Sequence, residues 1–103
     1  MYKLSFFVPH DFCEEVKAAV FKTGAGRIGT YDSCSWQVAG TGQFRPLAGS
    51  DPFIGTTGTL EKVEEYRVEM VCSDELIGDA VDALKKAHPY EEPAYDVLKL
   101  ADF

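Results

Sequence analysis

Hydrophobic and polar residues alternate along several stretches of the chain, with the two-residue period of a β-strand. The clearest stretch runs from Tyr66 to Cys72, where every even position is apolar and nearly every odd one is charged. Such alternation is typical of a strand with one face on a core and the other turned away from it. We predict four strands, at residues 2–8, 31–39, 64–72 and 94–100.

Two other stretches repeat their apolar residues every three or four positions, as one face of a helix does. The first runs from Asp11 to Thr23, with Asp11 as the expected cap and Gly24 as the stop. The second follows Ser73, its expected cap, and must end before Pro89, which disfavours helical geometry in the preceding residue. The predicted order is therefore strand, helix, strand, strand, helix, strand.

This order predicts an α+β fold, a ferredoxin-like βαββαβ sandwich in which an antiparallel sheet carries both helices on one face. At 103 residues, we expect one domain spanning residues 1–103. The other face of the sheet would carry a mixture of apolar and charged side chains, which suits a subunit interface or water. These side chains are Phe7, Glu65, Arg67, Glu69 and Val71.

A glycine-rich connection from Gly40 to Gly58 separates the second and third predicted strands. Connections of about 18 residues without regular structure are usually functional or interfacial. This one contains Phe44, Phe53 and Ile54, which are costly to expose as a group. We expect them either to fold back onto the domain or to contact a second subunit.

The net charge of −7 argues against a nucleic-acid partner, because phosphate binding needs clustered basic residues. No apolar run approaches the roughly 20 residues of a membrane span, and the N-terminus lacks the features of a signal peptide. We therefore expect a cytoplasmic protein without a membrane partner. Cys13, Cys34 and Cys72 form no CxxC pair, which predicts reduced thiols in or near the core.

The most conspicuous candidate for chemistry is the motif His-Pro-Tyr-Glu-Glu-Pro at residues 88–93. Its two prolines restrict the backbone on either side of Tyr90, and we favour a rigid turn that ends the second helix. His88 with Glu91 is also a combination that binds divalent cations or responds to pH. A divalent metal ion is thus the one cofactor that the sequence suggests. The chain has no HExxH or GxSxG motif that would support hydrolytic chemistry.

Four stretches of the chain resemble a known family: residues 24–31 with 34–36, residues 40–46, residues 58–61 with 65 and 67–69, and residues 88–96. Together they resemble the domain inserted in YqfO-type Nif-three-like proteins, and the His-Pro-Tyr-Glu turn is also similar to one in CutA, the divalent-cation-tolerance protein. The resemblance implies a PII-like domain of a kind that often assembles as trimers. The paired metal site of that family lies in flanking segments and has no counterpart here, so we expect no transfer of a metal-dependent hydrolase activity.

We therefore expect a small PII-like regulatory or binding module without catalysis. It would form a homo-oligomer, with a trimer favoured over a dimer, and would take a small ligand, an ion or a partner protein at a cleft between subunits. The alternative is a metal-dependent enzyme with a divalent cation at the same cleft, held by His88 and Glu91. The residues expected to bind a ligand are Arg27, Trp36, Arg45, Glu61 and Tyr90.

Overall fold

The computed structural model describes all of residues 1–103 and contains the predicted order of elements. A short 3-10 turn precedes the first α-helix, and both α-helices fall within the predicted stretches. The elements are β1 (Tyr2–Pro9), α1 (Cys13–Phe21), β2 (Trp36–Phe44), β3 (Glu61–Cys72), α2 (Ile77–Ala87) and β4 (Tyr95–Lys99).

The four strands form one antiparallel sheet in the order β2-β3-β1-β4. Strand β1 lies inside the sheet and pairs with β3 from Tyr2 opposite Cys72 to Pro9 opposite Glu65. The hairpin of β2 and β3 continues beyond the end of β1, to Phe44 opposite Glu61. The predicted α+β, ferredoxin-like sandwich is confirmed. None of the helices is both long enough and apolar enough to cross a membrane.

The core lies between the sheet and the two helices. Its strand residues are the even-numbered ones of β1 and β3, as the alternation predicted, and helical spacing brings the apolar stripes of α1 and α2 against them. Only one face of the sheet is used in this way, so the other face is free of helices, and we call it the helix-free face. The largest buried core residues are Leu4, Phe6, Val8, Val16, Val20, Val68 and Leu84.

The C-terminal end of the first helix follows the prediction, whereas the predicted N-terminal caps do not form. Gly24 ends the first helical segment with a φ of 100°, and a side chain there would also approach Leu76 Cδ1 to 2.7 Å. The predicted caps Asp11 and Ser73 were wrong, because neither helix has a side-chain cap. Helix α2 begins instead after a turn in which the Leu76 N–H donates to the Ser73 carbonyl oxygen at 3.2 Å.

Strand β2 lies five residues further along the chain than predicted, at Trp36–Phe44 instead of residues 31–39. The preceding residues form a tight turn closed by an isolated bridge between Ile28 and Tyr31. Cys34 consequently lies outside the strand and is half-buried, whereas Cys13 and Cys72 are buried as predicted. The connection between β2 and β3, which we call the covering loop, therefore spans residues 45–60.

The pairing of β2 with β3 decides which way its side chains point. Trp36 lies opposite Glu69 and Val38 opposite Arg67, both on the helix-free face. The polar Gln37 points toward the helices, where its Oε1 accepts a hydrogen bond from Lys17 Nζ at 2.8 Å. The apolar side of this strand is thus turned away from the core.

Candidate functional site

The covering loop folds over part of the helix-free face and encloses a cavity of about 730 Å³, which we call the loop cavity. Its walls come from β2, β3, the covering loop and the turn at residues 88–94. A volume of this size is within the range of small-molecule sites. The side chains relevant below are Val38, Phe44, Arg45, Ile54, Glu65 and Tyr90.

His88 holds the turn at residues 88–94 against the sheet through hydrogen bonds to the main chain. Its side chain is 6% exposed, and its Nε2 lies 2.7 Å from the carbonyl oxygen of Phe7. The Tyr90 N–H donates to His88 Nδ1 at 3.1 Å. One ring nitrogen must therefore donate and the other accept, which is the neutral imidazole. Burial lowers the pKa of His88, and the hydrogen bond to Phe7 opposes this only in part.

Glu91 fastens the covering loop to the same turn. Its Oε1 accepts a hydrogen bond from the backbone N–H of Asp51 at 2.8 Å. The loop cavity is thus closed by two contacts of the 88–93 motif, one of His88 to β1 and one of Glu91 to the loop. The simpler interpretation of the motif, a rigid turn, agrees with this geometry.

The same contacts leave the predicted cation site without suitable ligands. Both nitrogens of His88 are engaged with the main chain, so neither presents a free lone pair to a metal. No group of three or more His, Cys, Asp or Glu side chains is arranged to hold a metal ion. His88 and Glu91 therefore do not fit a divalent cation in this arrangement.

Tyr90 and Glu65 form the polar floor of the loop cavity. The Tyr90 hydroxyl is buried and lies beside the Glu65 carboxylate, which is the group positioned to accept its hydrogen bond. Burial first and the negative charge of Glu65 second raise the pKa of Tyr90. The Tyr90 ring lies against Phe44, with 5.8 Å between their centroids.

Glu65 is a site residue that the sequence did not reveal. It is 9% exposed, and burial raises the pKa of its carboxyl group, opposed by the neighbouring Tyr90 hydroxyl. Its carboxylate lies directly over Gly42, where even a Cβ atom would overlap with it. The sequence placed Glu65 on a mixed sheet face that suits a subunit interface or water, and nothing in its pattern distinguished Glu65 from the other charged residues of β3.

The predicted ligand-binding residues are only partly brought together. Arg45 and Tyr90 line the loop cavity, and so does Glu91. Arg27 lies on a separate shallow concavity with Tyr31 and Asp32. The other two predicted residues, as well as His88, lie outside the wall of the loop cavity. Trp36 is 62% exposed on the helix-free face, and Glu61 packs against Gly55 of the covering loop.

Comparison with known proteins identifies long similar segments. The chain is 50% identical over 98 residues to the Mycobacterium tuberculosis protein named GTP cyclohydrolase 1 type 2 homolog, covering 95% of this chain and 26% of that protein. It is 46% identical over 102 residues to the protein of the same name from Halalkalibacterium halodurans, covering 99% of this chain and 27% of the relative. The chain thus spans about a quarter of the length of these relatives. No family model matches it.

Solved structures give the same result for the fold. A Bacillus cereus protein related to NIF3 superposes with a TM-score of 0.84 at 42% identity, over 98% of this chain and 26% of that one. CutA1 from Pyrococcus horikoshii superposes with a TM-score of 0.71 at 16% identity, over all of this chain and 86% of the other, and this likeness concerns the fold alone. The predicted resemblance is therefore confirmed: the chain is homologous to one segment of Nif-three-like proteins and has the fold of CutA and other PII-like proteins.

Proposed function

We propose that this chain is a PII-like module that self-associates and takes a small ligand in the loop cavity, without catalysing a reaction itself. The observation that carries the proposal is the loop cavity, at whose floor the buried Tyr90 hydroxyl and the Glu65 carboxylate lie side by side. Ligand pockets are mostly apolar and contain a few polar groups that converge on one point. The loop cavity has both features.

The charges at the rim agree with a ligand that has an anionic part as well. Arg45 lines the cavity, is exposed, and forms no ion pair. Its guanidinium is therefore free to contact a carboxylate or phosphate. The rings of Tyr90 and Phe44 would supply apolar contact area for the ligand. Trp36, which was predicted to bind the ligand, lies outside the wall of the loop cavity.

The binding part of the proposal is tested by titrating fragments into isotope-labelled protein and recording amide spectra. We expect fragments with an aromatic ring to perturb signals of the covering loop and of the 88–94 turn. The variant Arg45→Ala should weaken anionic fragments, whereas Arg27→Ala, at the separate concavity, should leave them unchanged. Absence of any fragment that perturbs the loop cavity would contradict the proposal.

Self-association is supported by apolar side chains exposed on the helix-free face. Trp36 is 62%, Val38 43% and Leu98 57% exposed, and Trp36 and Val38 are neighbours on one side of β2. Burial of such groups stabilises association by roughly 25 cal/mol per Å² of apolar surface. The homology adds the expectation that a trimer is favoured over a dimer.

Light scattering at micromolar concentration tests this part. We expect a mass that is a multiple of 11.4 kDa and a shift toward the monomer in Trp36→Glu. Leu60→Glu is the matched control, because Leu60 is similarly exposed (54%) but lies in the covering loop, outside the sheet. A wild-type protein of monomer mass would contradict self-association.

The alternative, a metal-dependent enzyme with its cation on His88 and Glu91, is not favoured by the geometry. The name of the relatives refers to proteins of which this chain matches about a quarter, and we propose that this quarter binds and does not catalyse. Calorimetry with zinc, copper and manganese at pH 7.5 should give the same result for the wild type and for His88→Ala. A stoichiometric titration that depends on His88 would favour the enzyme.

A further inference from the structure

We propose that the ligand of the loop cavity is a small organic cation, a protonated amine with an apolar body, and that the Glu65 carboxylate pairs with its ammonium group. This inference rests on the proposed function, since it specifies the ligand class of the same cavity. It is carried by the position and surroundings of Glu65.

Glu65 is a carboxylate that is withdrawn from water and lacks a cationic partner. It is 9% exposed, and no Lys, Arg or His nitrogen forms an ion pair with it. A buried charge is costly unless it is paired. Burial also raises the pKa of this group, as expected of a carboxylate without a cation nearby.

The arginine on the same strand is already engaged elsewhere. Arg67 donates from Nε to Glu69 Oε1 at 2.9 Å and forms an ion pair with the same oxygen. Lys3 is 3.6 Å from the other oxygen of Glu69. The basic side chains of this part of the sheet therefore converge on Glu69 and leave Glu65 unpaired.

The space around Glu65 is shaped by the sequence of the neighbouring strand. A Cβ atom at Gly42 would overlap with Glu65 Oε1, whereas one at Gly40 would meet nothing within 4 Å. Gly42 thus allows the carboxylate to lie flat against β2, at the floor of the loop cavity. The position is specific to one glycine and is not a general property of the strand.

Two further groups at the floor suit an amine with an apolar body. The buried Tyr90 hydroxyl lies beside the Glu65 carboxylate, and its oxygen can accept a hydrogen bond from an ammonium group. The Tyr90 and Phe44 rings offer aromatic surface, which attracts cations and packs against apolar groups. An anion at this depth would instead lie beside the negative charge of Glu65.

The test compares three probes of nearly equal size: phenethylamine, the neutral 2-phenylethanol, and the anionic 3-phenylpropionate. Each is titrated into isotope-labelled protein at pH 7.5, and binding is read from the amide signals of the covering loop and of residues 88–94. We expect the amine to bind about tenfold or more tightly than the alcohol, a difference typical of a hydrogen-bonded charge pair. Phenylpropionate, whose carboxylate can contact Arg45 at the rim but not Glu65 at the floor, should bind less tightly than the amine.

Matched variants assign the preference to Glu65. Glu65→Gln should abolish the preference for the amine, and Glu64→Gln, an exposed neighbour on the opposite side of the strand, should keep it. Gly42→Ala should weaken the amine because it displaces the carboxylate. Thermal unfolding of each variant shows that it is folded.

The outcomes separate this inference from the proposed function. If the alcohol or phenylpropionate perturbs the loop cavity as strongly as the amine, the cavity binds ligands but the cation inference is overturned. If the amine preference survives in Glu65→Gln, the inference is likewise overturned. If no probe perturbs the cavity, both proposals fail.

Discussion

His88 and Glu65 lie at the same end of the molecule, and both are buried residues that can carry a charge. His88 has a main-chain partner for each ring nitrogen, and its neutral form fits its surroundings. Glu65 has no ion-pair partner, and the group beside it at the cavity floor is the neutral Tyr90 hydroxyl. The first arrangement is what a structural group needs, and the second leaves a buried carboxylate available to a cationic ligand.

The two residues are also expected to affect the free energy of unfolding in opposite ways as the pH changes. The pKa of His88 is lowered, so its contribution to stability is present above its ordinary pKa and is lost as the pH falls below it. The pKa of Glu65 is raised. Glu65 therefore lowers the free energy of unfolding least at acidic pH, and this destabilisation grows as the pH rises through that pKa. Four substitutions test this comparison, from the largest expected effect to the smallest.

His88→Ala should lower the free energy of unfolding by about 2–4 kcal/mol, because it leaves the Phe7 carbonyl and the Tyr90 N–H unpaired beneath the turn. Chemical denaturation at pH 7.5 measures the loss. The difference between wild type and variant should shrink as the pH falls below about 6.5, where a histidine begins to protonate. A loss under about 0.5 kcal/mol, typical of surface substitutions, would show that the contacts of His88 are not structural.

Glu65→Gln should have the opposite sign and raise the free energy of unfolding by about 1 kcal/mol at pH 7.5, since it removes an unpaired buried charge but keeps the shape. The gain should be absent below about pH 4, where the carboxyl group of the unfolded chain is protonated as well. Denaturation of both proteins at the two pH values measures it. A destabilised variant at pH 7.5 would mean that Glu65 has a partner within the protein.

Glu91→Ala should loosen the covering loop with only a small global effect, because it removes one hydrogen bond, worth about 0.5–1.5 kcal/mol. Hydrogen exchange should accelerate at Asp51, whose N–H is the donor, while the amides of β1 are unchanged. Glu92→Ala is the control, because Glu92 makes no hydrogen bond to the loop. Equal protection in the two variants would refute the role of Glu91.

Tyr90→Phe should lower the free energy of unfolding by less than about 1 kcal/mol, because the hydroxyl that it removes has only the Glu65 carboxylate beside it, outside ideal hydrogen-bonding geometry. The same substitution should weaken phenethylamine if the hydroxyl accepts a hydrogen bond from the ligand. Denaturation and the NMR titration are measured on the same sample. A large loss of stability would place the hydroxyl among the structural groups together with His88.

Much of the fold was predictable because it depends on local patterns. The even positions of β1 and β3 entered the core as their alternation indicated, and Gly24 ended the first helical segment at a positive φ. Strand β2 was placed five residues too early, because its polar and glycine residues carry little periodicity of their own. Its position is set by hydrogen bonds to the long strand β3, a partner distant in sequence.

The candidate site was predicted less completely. The residues that bring Arg45 and Tyr90 to one cavity belong to the covering loop and the 88–93 turn, and the rigid turn was visible in its prolines. Arg27, Trp36 and Glu61 lie elsewhere, because residues of separate segments can meet only if the tertiary structure brings those segments together. Glu65 was missed because a charged residue in an alternating strand normally faces water.

The sequence by itself determined the order of the elements, the core face of the two long strands and the restrained turn at residues 88–93, since these follow from periodicity and from backbone preferences within a few residues. The tertiary structure alone decided that both ring nitrogens of His88 would hydrogen-bond to the main chain. It also decided that Glu65 would be buried over Gly42 without a cation. Burial and pairing are properties of a side chain's surroundings, and those surroundings come from segments far apart in the chain.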